Sequence, residues 1–197
     1  MKRQQVNQEK RDGLLILGAG GHGQVVAEAA ELMGNWKQIF FLDDSFNEKE
    51  VMGDRLVAKI NDYNKFNSND YDAIVAVGNN SVRRKLLLQL KSSGFNVPTI
   101  IHPKAFVSKY SIIGSGTVVL ANATINTNTK IGDGCIININ VTIDHDCVIN
   151  NWTHVCSASV IRSYAKVGEN VNIGAAAYIP AMSIIPDYFQ LGEREIF

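Results

Sequence analysis

Residues 131–161 read IGDGCIININVTIDHDCVINNWTHVCSASVI, and every sixth residue of this stretch is Ile or Val. The same phase extends in both directions without a slip, from Ile101 to Leu191. A small residue such as Ala, Ser, Thr or Cys follows most of these positions four residues later. The sixteen positions are Ile101, Val107, Ile113, Val119, Ile125, Ile131, Ile137, Ile143, Ile149, Val155, Ile161, Val167, Ile173, Ile179, Ile185 and Leu191.

A period of six residues is typical of a parallel β-helix. Each unit is a short strand plus a turn, and three units complete one triangular coil. The branched side chain points into the prism, and the small residue lets the chain turn. One coil cannot bury its own interior, so coils must stack. Sixteen units predict about five coils, and each buried Ile or Val contributes roughly 1.5–3 kcal/mol of transfer free energy. A β-sandwich would not keep this period over so many residues.

The residues before Thr99 alternate instead between short apolar runs and helical patterns. Such alternation predicts a parallel sheet flanked by helices, and a small sheet, since few residues are available. Ser81 is the expected N-cap of the second helix. The expected strands are 14–17, 38–42 and 72–77, and the expected helices are 24–33 and 81–92.

Composition narrows the class of protein. The 197 residues are 46% hydrophobic and 19% charged, which is ordinary for a globular chain, and the formal net charge is zero. A nucleic-acid partner is not expected, because neutralising phosphates needs a basic surplus. The polar start MKRQQVNQEKR lacks the apolar stretch of a signal peptide, and no apolar run approaches the roughly 18 residues that span a bilayer. Three cysteines outside any CxxC pair favour reduced thiols and a cytoplasmic location.

The order of motifs resembles a known family. LLILGAGGHGQVVAEAAE, FFLDD, AIVAVGNNSVRRK, IIHPKAFVS and hexapeptides containing IIN and IDHDCVI follow one another between residue 12 and about residue 185. This set resembles the NeuD/PglD-type family of sialic acid O-acetyltransferases and nucleotide-aminosugar N-acetyltransferases. The sequence pattern predicts a polar tail over 1–11, a Rossmann-like domain over 12–100 and a parallel β-helix over 101–197, and the resemblance implies that the β-helix is left-handed. It also implies a homotrimer, in which acetyl-CoA and the acceptor sugar meet between neighbouring β-helices.

His145 and Asp146 are the candidate catalytic residues. Acetyl transfer to an amine or hydroxyl needs a base, and histidine has an unperturbed pKa of about 6.5. A neighbouring carboxylate can orient the ring and stabilise its cation. By resemblance, His145 is the general base and Asp146 is its partner. The alternative is a solvated surface histidine beside two surface acids.

Three further positions in the β-helix region match family residues along the acetyl-CoA channel, and a fourth lies near the acceptor. By resemblance, His154 lies along the channel, and Gly174 and Ala175 border the pantetheine arm. Asn138 would lie near the acceptor sugar. Each also has a plain structural explanation, since β-helix corners commonly carry asparagine and small residues.

The motif GAGGHG at 18–23 follows a strand and opens a helix, where glycines let the backbone approach a diphosphate. An NAD site is not expected, because the sheet is too small for the second half of a dinucleotide. The resemblance implies a nucleotide-sugar or sialic-acid-like acceptor, and a turn without a ligand is the alternative. The candidate acceptor-binding residues are Gly20, Gly21, His22, Gly23, Asp43, Asp44, Gly78, Asn79 and Asn138.

The chain departs from the family pattern in its later repeats. Ser157-Ala158 and Ser163-Tyr164 stand where the family commonly has Pro-Gly and Gly-Gly pairs, and Phe189 occupies a small-residue position. We expect Phe189 to distort the last coil and leave the acetyl-CoA pocket incomplete. A degraded, non-catalytic member that still binds a nucleotide-sugar is therefore one alternative function.

A zinc enzyme resembling γ-type carbonic anhydrase is the other alternative. Such a site needs three histidines at suitable spacing. Only His102, His145 and His154 lie in the repeat region, and His102 is at its wrong end. We therefore expect acetyl-CoA as co-substrate and no metal.

Overall fold

The computed structural model describes residues 11–44, 51–53 and 57–197. Of the polar tail expected over residues 1–11, only Arg11 falls within this range, and it begins the first strand. The two-part architecture expected from the sequence is confirmed, with a small α/β unit followed by a parallel β-solenoid of about five coils. No helix among the described residues has both the length and the apolar character needed to cross a bilayer.

The α/β unit contains one parallel four-stranded sheet, ordered β3-β2-β1-β4. The three expected strands and two expected helices are all present. The two-residue strand β3 and the 3-10 helix were not expected, because both are too short to leave a periodic pattern. The elements are β1 Arg11–Leu17, α1 Gly21–Met33, β2 Trp36–Leu42, β3 Val57–Ala58, a 3-10 helix Ile60–Lys65, β4 Tyr71–Val75 and α2 Asn80–Ser92.

Helix α2 starts one residue earlier than the sequence suggested. Its N-cap is Asn79, whose Oδ1 accepts a hydrogen bond of 3.0 Å from the backbone amide of Val82. The expected cap, Ser81, lies inside the first turn, so that expectation was wrong. Both residue types can cap a helix, and only the backbone path after β4 decides which one does.

Two glycines shape the turn between β1 and α1. Gly18 has φ +116°, a conformation that L side chains rarely adopt, and a Cβ on it would lie 2.6 Å from the carbonyl oxygen of Ala76. A Cβ on Gly23 would lie 2.0 Å from the carbonyl oxygen of Gly18. These glycines are therefore needed for the close packing of α1 against the sheet, whether or not a ligand binds.

The solenoid has three faces, each a parallel sheet whose neighbouring strands are eighteen residues apart. Face 1 contains β5, β8, β11, β14, β17 and β20; face 2 contains β6, β9, β12, β15 and β18; face 3 contains β7, β10, β13, β16 and β19. The strands are β5 Ile100–Ile101, β6 Phe106–Val107, β7 Ile112–Ile113, β8 Val118–Val119, β9 Thr124–Ile125, β10 Lys130–Ile131, β11 Ile136–Ile137, β12 Thr142–Ile143, β13 Val148–Ile149, β14 His154–Val155, β15 Val160–Ile161, β16 Lys166–Val167, β17 Asn172–Ile173, β18 Tyr178–Ile179, β19 Ile184–Ile185 and β20 Gln190–Leu191.

The sixteen aliphatic side chains form one core inside the prism, as their period predicts. Those from Val119 to Leu191 are buried, while Ile101, Val107 and Ile113 are partly buried and pack against them. Hydroxyl groups at the small-residue positions are also buried and donate to carbonyl oxygens fifteen residues later, at 2.7–2.9 Å. The donors are Thr117, Thr129, Thr153 and Ser159. Each such bond contributes about 1 kcal/mol net and gives a buried hydroxyl group its hydrogen-bond partner.

From Gly116 to Arg194 the chain turns each corner through a residue with positive φ, three residues after an inward-facing aliphatic. Asparagine and glycine tolerate this conformation, but Trp152, Tyr164 and Tyr188 adopt it as well, at a local cost of roughly 1–2 kcal/mol each. Stacking of the coils must hold these residues in place. The fourteen corner residues are Gly116, Asn122, Asn128, Gly134, Asn140, Asp146, Trp152, Ala158, Tyr164, Asn170, Ala176, Met182, Tyr188 and Arg194.

The last coil keeps the regular register, so the distortion expected at Phe189 was wrong. Ile173 pairs with Leu191, and the amide of Asn172 donates to the carbonyl of Phe189 at 3.0 Å. The ring of Phe189 packs against the solenoid core and meets the ring of Phe197 edge to face, with centroids 5.3 Å apart. The aromatic ring is therefore accommodated without a change in strand pairing.

The α/β unit packs on the first coils of face 1. Ile100, Val118 and Leu120 share a core with the buried side of α1, and Trp152 packs with the apolar side of α2. The loops at the carboxyl ends of β1 and β4 therefore lie next to the solenoid. In α/β sheets, ligands bind at the carboxyl ends of the strands.

Candidate active site

His145 and Asp146 form a hydrogen-bonded pair at the corner between β12 and β13. Nδ1 of His145 lies 2.8 Å from Oδ2 of Asp146, and the two side chains are 40% and 32% exposed. Asp146 is the positive-φ residue of this corner, and Asn128 donates to its other oxygen at 3.2 Å. These hydrogen bonds, that from His145 first, lower the pKa of Asp146. An ionised carboxylate thus holds Nδ1, and Nε2 remains to accept a proton.

Asp144 braces the same corner from the other side. Its Oδ1 accepts a 2.9 Å hydrogen bond from the backbone amide of His145, and Nε of Arg162 lies 3.5 Å from its Oδ2. The hydrogen bond from that amide is the main reason that the pKa of Asp144 is lowered. The loop around His145 is therefore held by an ionised carboxylate and a cation from the next coil.

Tyr164 also supports the histidine, and the sequence did not suggest it. The two rings meet edge to face, with centroids 5.3 Å apart and planes at 89°. Tyr164 follows Asp146 by eighteen residues, and Arg162 follows Asp144 by the same interval. A spacing of one coil was the signal that could have found both. Beside the pair lies a cavity of about 390 Å³ lined by Asp146, Tyr164, Lys166, Met182 and Ile184.

A second group of side chains lies where the α/β unit meets face 1. It contains His22, from the glycine-rich loop, and His154, which points outward from β14. Burial lowers the pKa of each imidazole to about 4, and the nearby Arg83 guanidinium acts in the same direction. Both rings are therefore neutral near pH 7. Nε2 of His22 is buried without a hydrogen-bond partner in the described part of the chain, which leaves a polar atom for a ligand.

Arg83 fixes this junction from inside. Its fully buried guanidinium donates hydrogen bonds of 2.6–3.0 Å to five oxygens on both parts of the protein. The acceptors are the carbonyls of Val77, Gly78, Gly134 and Trp152 and the side chain of Asn80. Burial lowers the pKa of Arg83 to about 10, so the group stays cationic at neutral pH. None of these acceptors is a carboxylate, so the positive charge contributes to the potential around the two histidines.

The candidate glycines fall into two kinds. A Cβ added to Gly20, Gly21 or Gly78 would meet nothing within 4 Å, whereas one on Gly23 would clash with the backbone. Gly23 is thus explained by packing. The other three face open space, as expected where a ligand approaches the backbone.

Asp43 and Asp44 brace loops at the sheet edge. Oδ2 of Asp43 accepts a 2.8 Å hydrogen bond from the amide of Ala19, inside the glycine-rich turn. Oδ1 of Asp44 accepts one of 2.9 Å from the amide of Ile60. Each of these candidate carboxylates thus uses one oxygen to hold the backbone.

Gly78 and Asn79 line a polar cavity of about 250 Å³. Its walls are residues 78–81 of the α/β unit and three solenoid side chains, Asn170, Asn172 and Gln190. Asn172 pairs with His154 in the register of face 1, so this cavity adjoins the second group. The three solenoid residues were not among the sequence candidates.

The remaining candidates have local structural partners. Oδ1 of Asn138 accepts a hydrogen bond of 2.8 Å from the amide of Ile139. Gly174 is buried, and a Cβ on it would lie 2.4 Å from the carbonyl carbon of Gly192 in the next coil. Ala175 next to it is half-buried. The smallness of Gly174 is therefore already required for stacking.

One chain does not bring the two groups together. His145 lies at the corner between faces 2 and 3, while His154 lies on face 1. Within the described ranges no three His, Cys, Asp or Glu side chains are grouped as metal ligands would be. The His145–Asp146 pair and the junction histidines are thus two separate groups on one chain.

Comparison with known proteins gives concordant matches. Residues 13–90 match the model of the PglD N-terminal domain. The acetyltransferase domain of PglB from Neisseria gonorrhoeae, solved in complex with acetyl coenzyme A, is 34% identical, with a TM-score of 0.91 over 94% of this chain and 93% of that one. PerB from Caulobacter crescentus, in complex with CoA and GDP-perosamine, is 29% identical, with a TM-score of 0.86 over 94% and 88%. A GDP-perosamine N-acetyltransferase from Escherichia coli is 28% identical over 169 residues, 83% of this chain and 76% of that protein.

Proposed function

Because the chain belongs to the PglD-type family of sugar acetyltransferases with a left-handed β-helix, we propose that it transfers acetyl from acetyl-CoA to the amine of a nucleotide-linked aminosugar. The observation that carries this proposal is the His145–Asp146 pair, held on an exposed corner of a fold that binds acetyl coenzyme A in a relative 34% identical. GDP-perosamine, bound by PerB, gives the acceptor class. The product would serve glycan biosynthesis, and acetyl-CoA together with reduced thiols favours the cytoplasm.

In this proposal His145 is the general base. The amine nitrogen attacks the thioester carbonyl while Nε2 of His145 takes a proton from it, and Asp146 stabilises the resulting imidazolium. A new C–N bond forms, the C–S bond breaks, and the imidazolium proton passes to the leaving sulfur of CoA. The products are an amide and free CoA, and the histidine returns to its neutral form.

The acceptor would bind on the α/β side. The open backbone at Gly20 and Gly21 and the N-terminus of α1 suit a diphosphate. Neutral His22 can donate or accept a hydrogen bond there without adding charge. Asn138, Asp43 and Asp44 remain candidate acceptor contacts, and His154, Gly174 and Ala175 remain candidate contacts for acetyl-CoA.

We further propose a homotrimer whose active sites lie between protomers. His145 and the junction histidines lie on different sides of one prism, so a neighbouring prism must supply the missing half-site. Ile112, Met182 and Ile184 are exposed near the His145 side, and apolar exposure of this kind suits an interface. Light scattering should give three times the mass of the chain, and a monomer would contradict the assembly.

The degraded alternative loses one of its reasons, because the coils remain regular to Leu191. The deciding experiment is CoA release from acetyl-CoA with GDP-perosamine, a UDP-linked aminosugar and sialic acid as separate acceptors. We expect release with a nucleotide-linked aminosugar and little with sialic acid. No release with any acceptor, from a chain that also fails to bind acetyl-CoA, would contradict the proposed function.

A further inference from the structure

Asn170 lines the polar cavity and carries an unused hydrogen-bond acceptor. The residue is 8% exposed, and its Oδ1 is buried with no hydrogen-bond partner among the residues that the structure describes. It lies on the cavity wall opposite the start of α2. A buried polar atom without a partner is unfavourable in a folded protein, so such an atom points to a ligand that completes it.

The corner position explains the residue type but not its burial. Asn170 has φ 57°, like Asn122, Asn128 and Asn140, and asparagine suits this conformation. Asn122 and Asn140 are exposed, so their amides face water, and Asn128 donates to Asp146. Asn170 alone of these four has a buried amide oxygen with no partner.

The opposite wall is held in place by hydrogen bonds within the protein. Asn80 donates to the carbonyl of Val171 at 3.0 Å and accepts from Arg83, while Asn79 caps α2. These amides are already committed, so they hold the wall in place. The cavity is lined by amide and hydroxyl groups and by no charged side chain in the described part of the chain. Such a lining suits a neutral ligand group that carries its own hydroxyl or amine donors.

We propose that this cavity is the subsite for the sugar ring of the acceptor, and that Oδ1 of Asn170 accepts a hydrogen bond from a hydroxyl of that ring. This inference rests on the proposed function. A volume of about 250 Å³ lies below the roughly 300–1,000 Å³ of pockets that enclose a drug-sized ligand, so it fits one ring and not a whole nucleotide-sugar. Asn170 would then help decide which sugar is accepted.

The position of the cavity favours the acceptor over acetyl-CoA. The cavity wall formed by residues 78–81 follows β4. It lies at the same edge of the sheet as the glycine-rich loop after β1. Ligands of α/β sheets bind at this carboxyl edge. Asn172, beside Asn170 on the wall, is next to His154 in the register of face 1. The ring would thus lie between the nucleotide-binding loops and His154, the candidate contact for acetyl-CoA.

Asn170→Gly removes the amide and keeps the backbone unstrained, because glycine adopts positive φ freely. Asn140→Gly is the matched control, since it makes the same change at an exposed corner with φ 58°. Calorimetry on the full chain would measure binding of GDP-perosamine, GDP and acetyl-CoA, with a UDP-linked aminosugar and UDP in parallel. We expect Asn170→Gly to weaken nucleotide-aminosugar binding about tenfold, the usual order for one lost hydrogen bond, with GDP, UDP and acetyl-CoA unchanged. Asn140→Gly should bind every probe like the wild type.

Three results would overturn the inference. They are unchanged nucleotide-aminosugar binding by Asn170→Gly, an equal loss for the nucleoside diphosphate alone, and a loss confined to acetyl-CoA. A wild-type chain that binds acetyl-CoA but no nucleotide-aminosugar would refute the proposed acceptor class itself, and with it this subsite. The wild-type measurement therefore separates failure of the proposed function from failure of the inference alone.

Discussion

Nη2 of Arg83 donates a 2.9 Å hydrogen bond to the backbone carbonyl of Trp152, which joins the last helix of the α/β unit to a corner of the solenoid. Nε of the same side chain reaches Gly134, one coil earlier. A helix residue thus donates hydrogen bonds to two buried corner carbonyls, which would otherwise lack this donor. The contact sets where the loop of Gly78 and Asn79 lies relative to His154.

Arg83→Met should therefore destabilise the protein strongly. The change leaves several buried carbonyls without donors, and we expect a loss of about 3 kcal/mol or more in the free energy of unfolding. Denaturant unfolding would measure it. Lys85→Met, an exposed change on the same helix, should stay within about 0.5 kcal/mol of wild type. Equal stability of the two variants would show that the junction does not depend on Arg83.

His145→Ala should lower kcat by roughly 10²- to 10⁴-fold, the usual contribution of a general base. The affinity for acetyl-CoA should change little, because the base acts on the proton of the acceptor. Asp146→Asn should reduce kcat less, since it removes an orienting charge and leaves the imidazole. His102→Ala, at the first coil, is the control and should keep full activity. Full activity of His145→Ala would refute the mechanism.

The buried histidines predict acid sensitivity of the fold. Burial lowers the pKa of His22 and His154 to about 4, while the unfolded chain has histidine pKa values near 6.5. Between about pH 6.5 and 4 the unfolded state binds more protons, so stability is full above this window and falls as the pH is lowered through it. The loss could reach roughly 3 kcal/mol per histidine.

Chemical unfolding at pH 7.5, 5.5 and 4.5 would test this dependence. His22→Gln and His154→Gln remove one titrating group each, so either variant should lose less stability than wild type over the same interval. An unchanged slope in both variants would assign the acid sensitivity to other groups.

Ile137→Asp should prevent folding of the solenoid. Ile137 is fully buried in the prism, and an unpaired buried carboxylate costs several kcal/mol. Ile139→Asp lies two residues away on an exposed side chain and should fold normally. Circular dichroism with thermal melting would compare them. Cooperative unfolding of Ile137→Asp at the temperature of the control would contradict the core.

The amino-acid sequence determined the fold through repetition. A core position recurs every six residues from Ile101 to Leu191. The same evidence for a buried aliphatic side chain is therefore repeated sixteen times, and the assignment does not depend on any single residue. The hydrogen-bonded pair of His145 and Asp146 could also be predicted from the sequence, because the two residues are adjacent in the chain and their contact does not depend on long-range packing. The prediction for Phe189 was wrong, because its ring packs against the core and the ring of Phe197 without changing the strand register.

Only the tertiary structure decided the contacts that join distant residues. Arg83 and Trp152, or His22 and His154, meet because the α/β unit packs on face 1, and no periodic pattern encodes that packing. Asn170 is another example. Its corner conformation is like that of Asn140, but Asn170 is buried, because it lies beside the start of α2. Burial depends on which surfaces pack together. In this protein the packing is decided by apolar contacts between the α/β unit and the solenoid, whose sequence patterns differ.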